Sequence, residues 1–464
     1  MNIEKTTLFE QARPSRALAV MALPTVASQM VLLLYNLADT WFIGRTNNPY
    51  MVGASSLALT LYLAAVSLAN VFGVGGGSLM IRLVGEKQTE RARRVASYSL
   101  AAAAVSALAF SVLVGILMDP ILRMLGASEN TMDYARAYIL TTTVAGGVPT
   151  VLAMCMPQLL RNSGYAREAG IGVGLGSLMN VALDPLFMFV LLPRGNEVLG
   201  AGLATLVSNC CSFAYFVVVY RKVKDRTVLE LPRRIEKLEK SEKTSLYSVG
   251  IPAGISIFLY DLVTMFANRL VSAYGDIPLA AMGIVLKLER IPINTGLGIC
   301  LGMVPLIAYN YGAGNPKRMR QIFSLARNVI LGFSCICTAL FWIFAPGAIG
   351  AFISDGETVA AGVTLLRGRC LSLPFMMVGY LTVNLMNAVN RGKVSFGLAL
   401  VRHVVLLIPA MLLMNRLWGL TGLVWSQLAA DVLNAAIAAV VLVRVSAQIM
   451  KAPGRVHPGE RNME

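Results

Sequence analysis

Apolar runs long enough to cross a bilayer recur along the whole chain, and they limit its fold more than any other feature. A helix needs about 20 mostly apolar residues to span the hydrocarbon core of a membrane. Such runs lie at 17–42, 51–80, 95–118, 135–160, 167–192, 198–221, 245–272, 279–309, 321–345, 358–386, 394–414 and 420–445. Charged residues make up 14% of the chain, against about 25% in a typical soluble domain. We therefore expect an integral membrane protein.

The pattern within the runs decides between the two structures that can cross a bilayer. Only helices and closed β-barrels satisfy every backbone hydrogen bond in lipid. Barrel strands alternate apolar and polar residues, whereas these runs are uniformly apolar. We predict an all-α protein with twelve transmembrane helices.

Basic residues gather in alternate loops between the runs. Arg91, Lys317 and Arg391 lie in such loops, and the intervening loops carry acids such as Asp119 and Asp355. Cytoplasmic loops of membrane proteins are enriched in Lys and Arg, so we expect both termini in the cytoplasm and the chain in the inner (cytoplasmic) membrane. This placement accounts for the net charge of +16, and we do not expect nucleic acid as a partner.

One long charged connection, at 221–243, separates six runs from six runs. We predict an N-lobe at 1–222, a cytoplasmic linker at 223–243 and a C-lobe at 244–464. The linker has the mixed-charge spacing of a helix that lies on the membrane surface, and a solvated linker is an equally good interpretation.

The two halves resemble each other at a constant offset of 227 residues. The coincident pairs are Gly75/Gly302, Leu79/Leu306, Gly85/Gly312, Arg91/Arg318 and Arg93/Arg320. Six helices per repeat place both copies in the same orientation, related by an axis along the membrane normal. We predict two six-helix bundles related by pseudo-two-fold symmetry, with a substrate path between them.

Two acids lie within the apolar runs of the first half. Asp39 is in the first run, while Asn180 and Asp184 are four residues apart in the fifth and share one helix face. A charge at the bilayer centre costs about 2.5–3.5 kcal/mol, and such residues usually face a cavity or a partner. No Lys or Arg lies in the central part of any first-half run, which disfavours simple ion pairing.

The sixth run offers Thr205, Ser208 and Asn209, so together these side chains supply carboxylate, amide and hydroxyl oxygens. Hard oxygen ligands of this kind suit a small cation, and two neighbouring carboxylates can also hold a proton. We predict a cation site at Asp39, Asn180 and Asp184 with a hydroxyl group of the sixth run, and the three named residues are possible sodium ligands. Pro185 removes a backbone donor and is a candidate hinge.

The second half carries intramembrane charges of both signs. They include Asp261, Arg269, Lys287, Glu289 and Arg290. Asp261 and Glu289 are candidates to line a cavity, and mutual pairing of the charges is the alternative. A lone histidine such as His403, near the start of the eleventh run, is more often interfacial than a proton relay. The seven cysteines fall inside the runs, and we expect no disulfide or metal role for them.

Three stretches carry a resemblance to a known family. "YNLADTWFIG" after "LPTVASQM", the loop "RLVGEKQTERARR" and above all "NVALDPLFMF" resemble the multidrug and toxic compound extrusion (MATE) transporters. The resemblance implies an antiporter that is coupled to protons or sodium ions and exports amphipathic, often cationic drugs by alternating access. It also implies a monomer in contact with membrane lipids, no enzymatic activity and no cofactor other than the coupling ion.

The resemblance also assigns roles to residues. It implies that Asp39, Asn180, Asp184 and Thr205 form the cation site, and that the first helix bends at Pro24. We predict that the drug contacts these further residues: Met30, Tyr35, Asn36, Met179, Asp261 and Glu289. The tenth run departs from some family members, because it has no acid and carries only Arg367 and Arg369 near its outer half, with Asn384 and Asn387 further in. A cation site in the second half is therefore not expected.

Two other functions stay open at this point. A lipid-linked saccharide flippase of the same superfamily would bind pyrophosphate through cations such as Arg269, Lys287 and Arg290. A membrane-embedded enzyme or receptor is disfavoured, because the sequence has no HExxH motif and no histidine cluster.

Overall fold

The computed structural model describes residues 3–46, 48–231 and 237–451. All regular elements in those ranges are helical. The α-helices are α1 (Ile3–Glu10), α2 (Pro14–Gly44), α3 (Pro49–Gly85), α4 (Thr89–Ile116), α5 (Met118–Met124), α6 (Glu129–Ile139), α7 (Gly147–Asn162), α8 (Ala166–Pro185), α9 (Glu197–Val223), α10 (Lys240–Ser272), α11 (Asp276–Gly312), α12 (Pro316–Gly350), α13 (Gly356–Cys370), α14 (Leu373–Ala388), α15 (Gly392–Leu400) and α16 (Ile408–Lys451). Three π-helical segments, Leu140–Ala145, Leu186–Leu191 and Val401–Leu407, and one 3₁₀ turn, Lys224–Arg226, complete the set.

The helices account for all twelve predicted membrane crossings. Within the described residues, nine helical stretches are long and apolar enough to cross a membrane, or eleven if each of two bent pairs is one crossing. The last stretch, Gly392–Val445, has 54 residues and is interrupted at Gly419, where φ is 56° and ψ is −138°. Because about 20 residues suffice for one crossing, this stretch supplies two. The fold is all-α, as predicted.

The fourth and tenth crossings are bent. The helices on either side of Gly146 meet at 54°, and those on either side of Leu371 and Ser372 meet at 46°. A π-helical segment, Leu140–Ala145, precedes the first of these bends. Hydropathy alone predicted each as one continuous run, because apolar length carries no information about the helix axis.

Backbone contacts between α3 and α11 reveal the symmetry of the repeat. A Cβ atom on Gly85 would collide with the carbonyl of Tyr309, and one on Gly312 would collide with the carbonyl of Arg82. The positions of Arg82 and Tyr309 differ by the same 227 residues as those of the two glycines. Reciprocal contacts of this form are typical of a two-fold axis. The axis of the repeat therefore passes between α3 and α11.

Two equivalent contacts flank this axis. A Cβ on Gly75 would collide with the carbonyl of Leu246 and approach Gly250, so α3 lies directly against α10. A Cβ on Gly302, the repeat mate of Gly75, would stand 2.6 Å from the Cα of Ala22, so α11 lies against α2 in the same way. Small residues allow helices to approach this closely. The two halves thus meet backbone to backbone.

These contacts lie toward one end of the bundles. Gly85 and Gly312 end α3 and α11, and they adjoin the loop that carries Lys87 and the start of α12 that carries Lys317. We call this end, which also holds the connections α7–α8, α9–α10 and α14–α15, the basic side. The predicted lobe boundaries at 222 and 243 remain predictions.

A glycine substitution tests the close contact between the halves. Gly302→Val should lower the thermal unfolding midpoint in detergent, because the added side chain overlaps α2, and overpacking typically costs about 1–3 kcal/mol. Gly283→Val, on the same helix α11, is the matched control, because nothing lies within 4 Å of a Cβ there. Equal midpoints for the two variants would contradict the contact.

Candidate functional site

The site is built on the last turns of α8. Asn180 and Asp184 are four residues apart and thus on one face, and they are 2% and 0% exposed. Pro185 ends α8, and the chain continues as the π-helical segment Leu186–Leu191. π-helical segments often occur at functional sites. The sequence therefore buries a carboxyl group where the helix changes its hydrogen-bonding pattern.

Asn180 links Asp184 to α9. Amide orientation follows from the hydrogen-bond network, and here the Asn180 nitrogen donates to Asp184 Oδ2 at 2.9 Å. The amide oxygen then accepts from the backbone nitrogen of Thr205 at 3.1 Å and lies 3.3 Å from the Thr205 hydroxyl. Thr205 is 3% exposed. The three side chains predicted from the fifth and sixth runs thus lie in one hydrogen-bonded row.

Asp39 of α2 faces this row. It lies close enough to Asp184 for the two carboxylates to interact electrostatically. Asp39 Oδ1 is buried and has no hydrogen-bond partner among the described residues. In the described part of the chain, neither acid forms an ion pair with Lys or Arg. A buried carboxylate is costly unless it is paired or protonated, so binding of a proton or another cation would stabilise this pair of acids.

Tyrosine side chains surround the two acids. Tyr35, Tyr62 and Tyr138 each lie within electrostatic reach of Asp39. Sequence analysis proposed Tyr35 as a drug contact and missed the other two. Their signal was weak, because a tyrosine within an apolar run is ordinarily a packing residue.

The donor set indicates which ions the site can hold. No group of three or more His, Cys, Asp or Glu side chains that could hold a metal ion occurs among the described residues. The site instead offers two carboxylates with amide and hydroxyl oxygens. Such a set fits a small hard cation or a proton, and it does not fit a soft transition metal.

The other predicted drug contacts in the first half lie outside this cluster. The hydroxyl of Thr295 in α11 donates to the sulfur of Met30 at 3.9 Å, so Met30 lies between the halves. Asn36 is exposed and donates to the carbonyl of Leu32 in its own helix at 2.9 Å. Met179 is half-buried beside Asn180.

The predicted hinge at Pro24 lies inside α2, which continues through it. A Cβ on Gly170 of α8 would stand 2.7 Å from the Pro24 carbonyl oxygen. The helix that bears Asp184 therefore packs directly on the proline of the helix that bears Asp39. Bending at Pro24 would change the fit between these two helices.

Four buried intramembrane charges of the second half form two ion pairs. Arg369 donates from Nε and Nη2 to the two carboxylate oxygens of Glu289, both at 2.9 Å. Arg402 binds Asp431 at 2.7 Å. All four residues are buried. Of the two interpretations of Glu289, pairing describes this conformation; the side chain of Asp261 lies outside the described part of the structure.

A small cavity lies between these pairs. Glu289, Arg369, Arg402 and His403 line it together with Tyr260. Its volume is about 30 Å³, which is room for about two water molecules. A drug-sized molecule does not fit there in this conformation.

His403 is buried among the helices of the second bundle and is 5% exposed, and its interfacial position stays a prediction. Its Nε2 lies 3.3 Å from Arg402 Nη1. A guanidinium group only donates hydrogen bonds, so Nε2 is the acceptor and Nδ1 carries the proton. Position in the run could not reveal this, because burial depends on the neighbouring helices.

A model of the MatE family matches residues 24–186 and 252–413. The Multidrug export protein MepA of Staphylococcus saprophyticus is 26% identical over 443 residues, which cover 96% of each chain. The protein of that name from Staphylococcus aureus is 28% identical over 443 residues, with 96% of each chain covered. A solved structure of MATE in complex with MaL6 superposes with a TM-score of 0.91 at 21% identity, over 97% of this chain and 100% of that one.

Removal of one partner tests the buried ion pair of the second half. Arg369→Met should destabilise the protein by about 3–5 kcal/mol, because it leaves Glu289 buried and unpaired. The double variant Glu289→Leu with Arg369→Met should recover most of this loss, as measured by thermal unfolding in detergent.

Arg367→Met on the same helix is the control. Arg367 is half-buried, and its Nε donates to the carbonyl of Trp342 at 3.0 Å. Equal destabilisation by the substitutions at 367 and 369 would contradict the assigned importance of the pair.

Proposed function

The chain belongs to the MatE family, and we propose that it exports amphipathic, often cationic drug-like compounds in exchange for protons or sodium ions. It is a multi-pass membrane protein of a family of transporters rather than enzymes, and it needs no prosthetic group. The names of the relatives support drug export, and they leave the coupling ion open.

One observation carries the proposal of cation coupling. Asp39 and Asp184 are two acids within the membrane-spanning part that interact with each other, and neither has a basic partner among the described residues. Structural ion pairs, as in the second half, neutralise themselves. An unbalanced pair requires a proton, a sodium ion or a cationic compound, and these cations should compete for it.

Competition between the ion and the drug for Asp39 and Asp184 would couple binding of the ion to release of the drug. Ionised Asp39 and Asp184 attract a cationic compound, and a proton or sodium ion removes that attraction. A ligand shifts a conformational equilibrium only by its difference in affinity for the two states. Because α8 packs on Pro24, neutralisation of Asp39 and Asp184 can change the fit between α2 and α8. We assign the change of conformation during transport to this step.

The tyrosines supply the drug-binding surface in this proposal. Tyr35, Tyr62 and Tyr138 lie around the carboxylates, and organic cations are attracted to aromatic faces. A flat apolar cation could therefore bind the rings and the acids together. We keep Met30, Asn36 and Met179 as weaker drug contacts, and Glu289 only for a conformation in which Arg369 releases it.

The energy for export can come from the membrane potential and the ion gradient. Each net charge that moves inward through 100 mV releases about 2.3 kcal/mol, which supports roughly a 50-fold drug gradient. Exchange of one proton for one monocationic drug moves no net charge and draws on the ion gradient alone. The bundles would alternate their access around the fixed site. We place the protein in the inner membrane as a monomer in contact with lipids, with both termini in the cytoplasm.

The flippase alternative is weaker in light of the second half. A pyrophosphate group needs free cations, but Arg369 and Arg402 are neutralised by Glu289 and Asp431. Arg290 stacks on the ring of Tyr260 at 5.0 Å. Arg269 and Lys287, the other cations of this alternative, are exposed and form no ion pair in the described structure, so the pairing weakens the alternative only at Arg369 and Arg402.

Substitution of the two acids tests the site. Asp39→Asn and Asp184→Asn should each abolish export of tetraphenylphosphonium, because an amide carries no negative charge and takes up no proton in exchange for a cation. The measurement is efflux from cells, with the amount of protein in the membrane checked by immunoblotting. Asp225→Asn, at an exposed aspartate of the 3₁₀ turn, should export normally. Normal export by either site variant would exclude that acid from the mechanism.

Imposed gradients identify the coupling ion. Purified protein in liposomes should move tetraphenylphosphonium when a proton gradient, a sodium gradient or both are applied, and ionophores that collapse each gradient separately should stop it. The wild type and Asp184→Asn are compared in the same preparation. Transport by the wild type that ignores both gradients would refute a secondary antiporter.

A further inference from the structure

Two arginines at equivalent positions of the repeat play no part in the carboxylate site. Arg91 lies in the first turn of α4, and Arg318 lies in the first turn of α12, 227 residues later. Both are on the basic side. Their side chains reach across the boundary between the bundles, and this pair has the same symmetry as the contact of Gly85 with Gly312.

Arg318 holds the segment that leads into α2. Its Nε donates to the carbonyl of Phe9 at 2.6 Å, and its Nη2 donates to the carbonyls of Ala12 at 2.6 Å and Leu8 at 3.3 Å. Arg318 is 8% exposed. We call this set of contacts the carbonyl clasp.

The neighbouring residues of α11 strengthen the carbonyl clasp. The Tyr309 hydroxyl donates to Glu10 Oε1 at 2.6 Å, and its ring lies 5.2 Å from that of Phe9, which is fully buried. Asn310 also donates to the Phe9 carbonyl, at 3.2 Å. The end of α1 is therefore fixed to the second bundle, although the chain continues directly into the first helix of the first bundle.

Arg91 holds the equivalent segment at the start of α10. Its Nε donates to Glu242 Oε1 at 2.8 Å and its Nη2 to Glu239 Oε2 at 3.1 Å. The Glu242 side chain is 2% exposed. Glu239 and Glu242 also cap the start of α10 through a capping box. We call these contacts the carboxylate clasp.

The two clasps cross the boundary in opposite directions. The carboxylate clasp joins an arginine of the first half to the start of the first long helix of the second half. The carbonyl clasp joins an arginine of the second half to the segment before the first long helix of the first half. Separation of the bundles on the basic side would pull α10 away from α4 and the segment before α2 away from α12, so it must break both.

From this geometry we infer that the two clasps together lock the basic side shut, and that their release gates access to the substrate path from that side. The inference rests on the alternating access of the proposed function and assigns its gate. Hydrogen bonds to charged groups are stronger than those between neutral groups, so two clasps can hold one conformation while a ligand can still shift it.

The clasps differ in chemistry and hence in their response to salt. The carboxylate clasp joins opposite charges, and the Arg91 side chain is 32% exposed, so dissolved ions screen it. The carbonyl clasp is a buried cation bound to neutral carbonyls, and salt should affect it less. Higher ionic strength should therefore weaken one clasp and leave the other closed.

Distance measurements between spin labels test the gate in full-length protein in lipid nanodiscs. The labels are placed through Lys222→Cys and Lys393→Cys in a background without other cysteines. Both positions are exposed, lie at the basic ends of α9 and α15, and take no part in either clasp. The distances need no drug and no ion gradient, so a failure of the export proposal would not affect their interpretation.

Arg91→Ala and Arg318→Ala should each raise the population with a longer distance about tenfold, which corresponds to about 1.4 kcal/mol. The double variant should raise it further. The effects of Arg91→Ala and Glu242→Ala on this population should not be additive, because both substitutions remove the same contact. Arg91→Lys and Arg318→Lys should give intermediate shifts. They replace the alanine variants in the experiment if an alanine variant does not fold.

The matched controls are Arg93→Ala and Arg320→Ala. These arginines are also repeat mates, and each lies two residues after the arginine of a clasp. In the described structure neither forms an ion pair or hydrogen bond with the other half. Arg93 pairs with Glu90 of its own helix at 3.5 Å. The controls should keep the wild-type distances. Clasp variants that match the controls, or controls that shift as much as the clasp variants, would overturn the inference.

Discussion

Direct backbone contact between the two halves is the constraint on which the rest of this structure depends. Gly85 and Gly312 pack reciprocally on the axis of the repeat, and Gly75 and Gly302 form the flanking contacts with α10 and α2. Side chains there would hold the bundles apart. The contact continues along both helix pairs, where Gly250 packs on Val71 and Gly298 on Val26, so glycines allow the halves to lie close together well beyond the basic end.

The two bundles use charge in different ways. The second bundle neutralises its buried charges internally, through Glu289 with Arg369 and Asp431 with Arg402. The first bundle leaves Asp39 and Asp184 without basic partners in the described structure, within a shell of tyrosines. A balanced bundle is stable without ligands, whereas an unbalanced one exchanges cations, and this asymmetry on a symmetric scaffold is the physical basis of the proposed coupling.

The carboxylate site could be predicted from the sequence in part. Asp39, Asn180 and Asp184 were evident, because a polar side chain in a long apolar run is energetically costly. Tyr62 and Tyr138 were missed, because a tyrosine is amphipathic and carries no such cost. The burial of His403 was not predicted, because it comes from helices distant in the sequence.

The sequence by itself determined the twelve crossings, the internal repeat and the position of the unbalanced acids, because hydrophobic length and the cost of a buried charge act locally along the chain. Only the tertiary structure decided which charges pair, where the fourth and tenth crossings bend, and that Arg91 and Arg318 each bind the opposite half. Glu289 and Arg369 are 80 residues apart, and several cations were possible partners by composition. Helix packing alone selects among them, since it sets which side chains lie within hydrogen-bond distance.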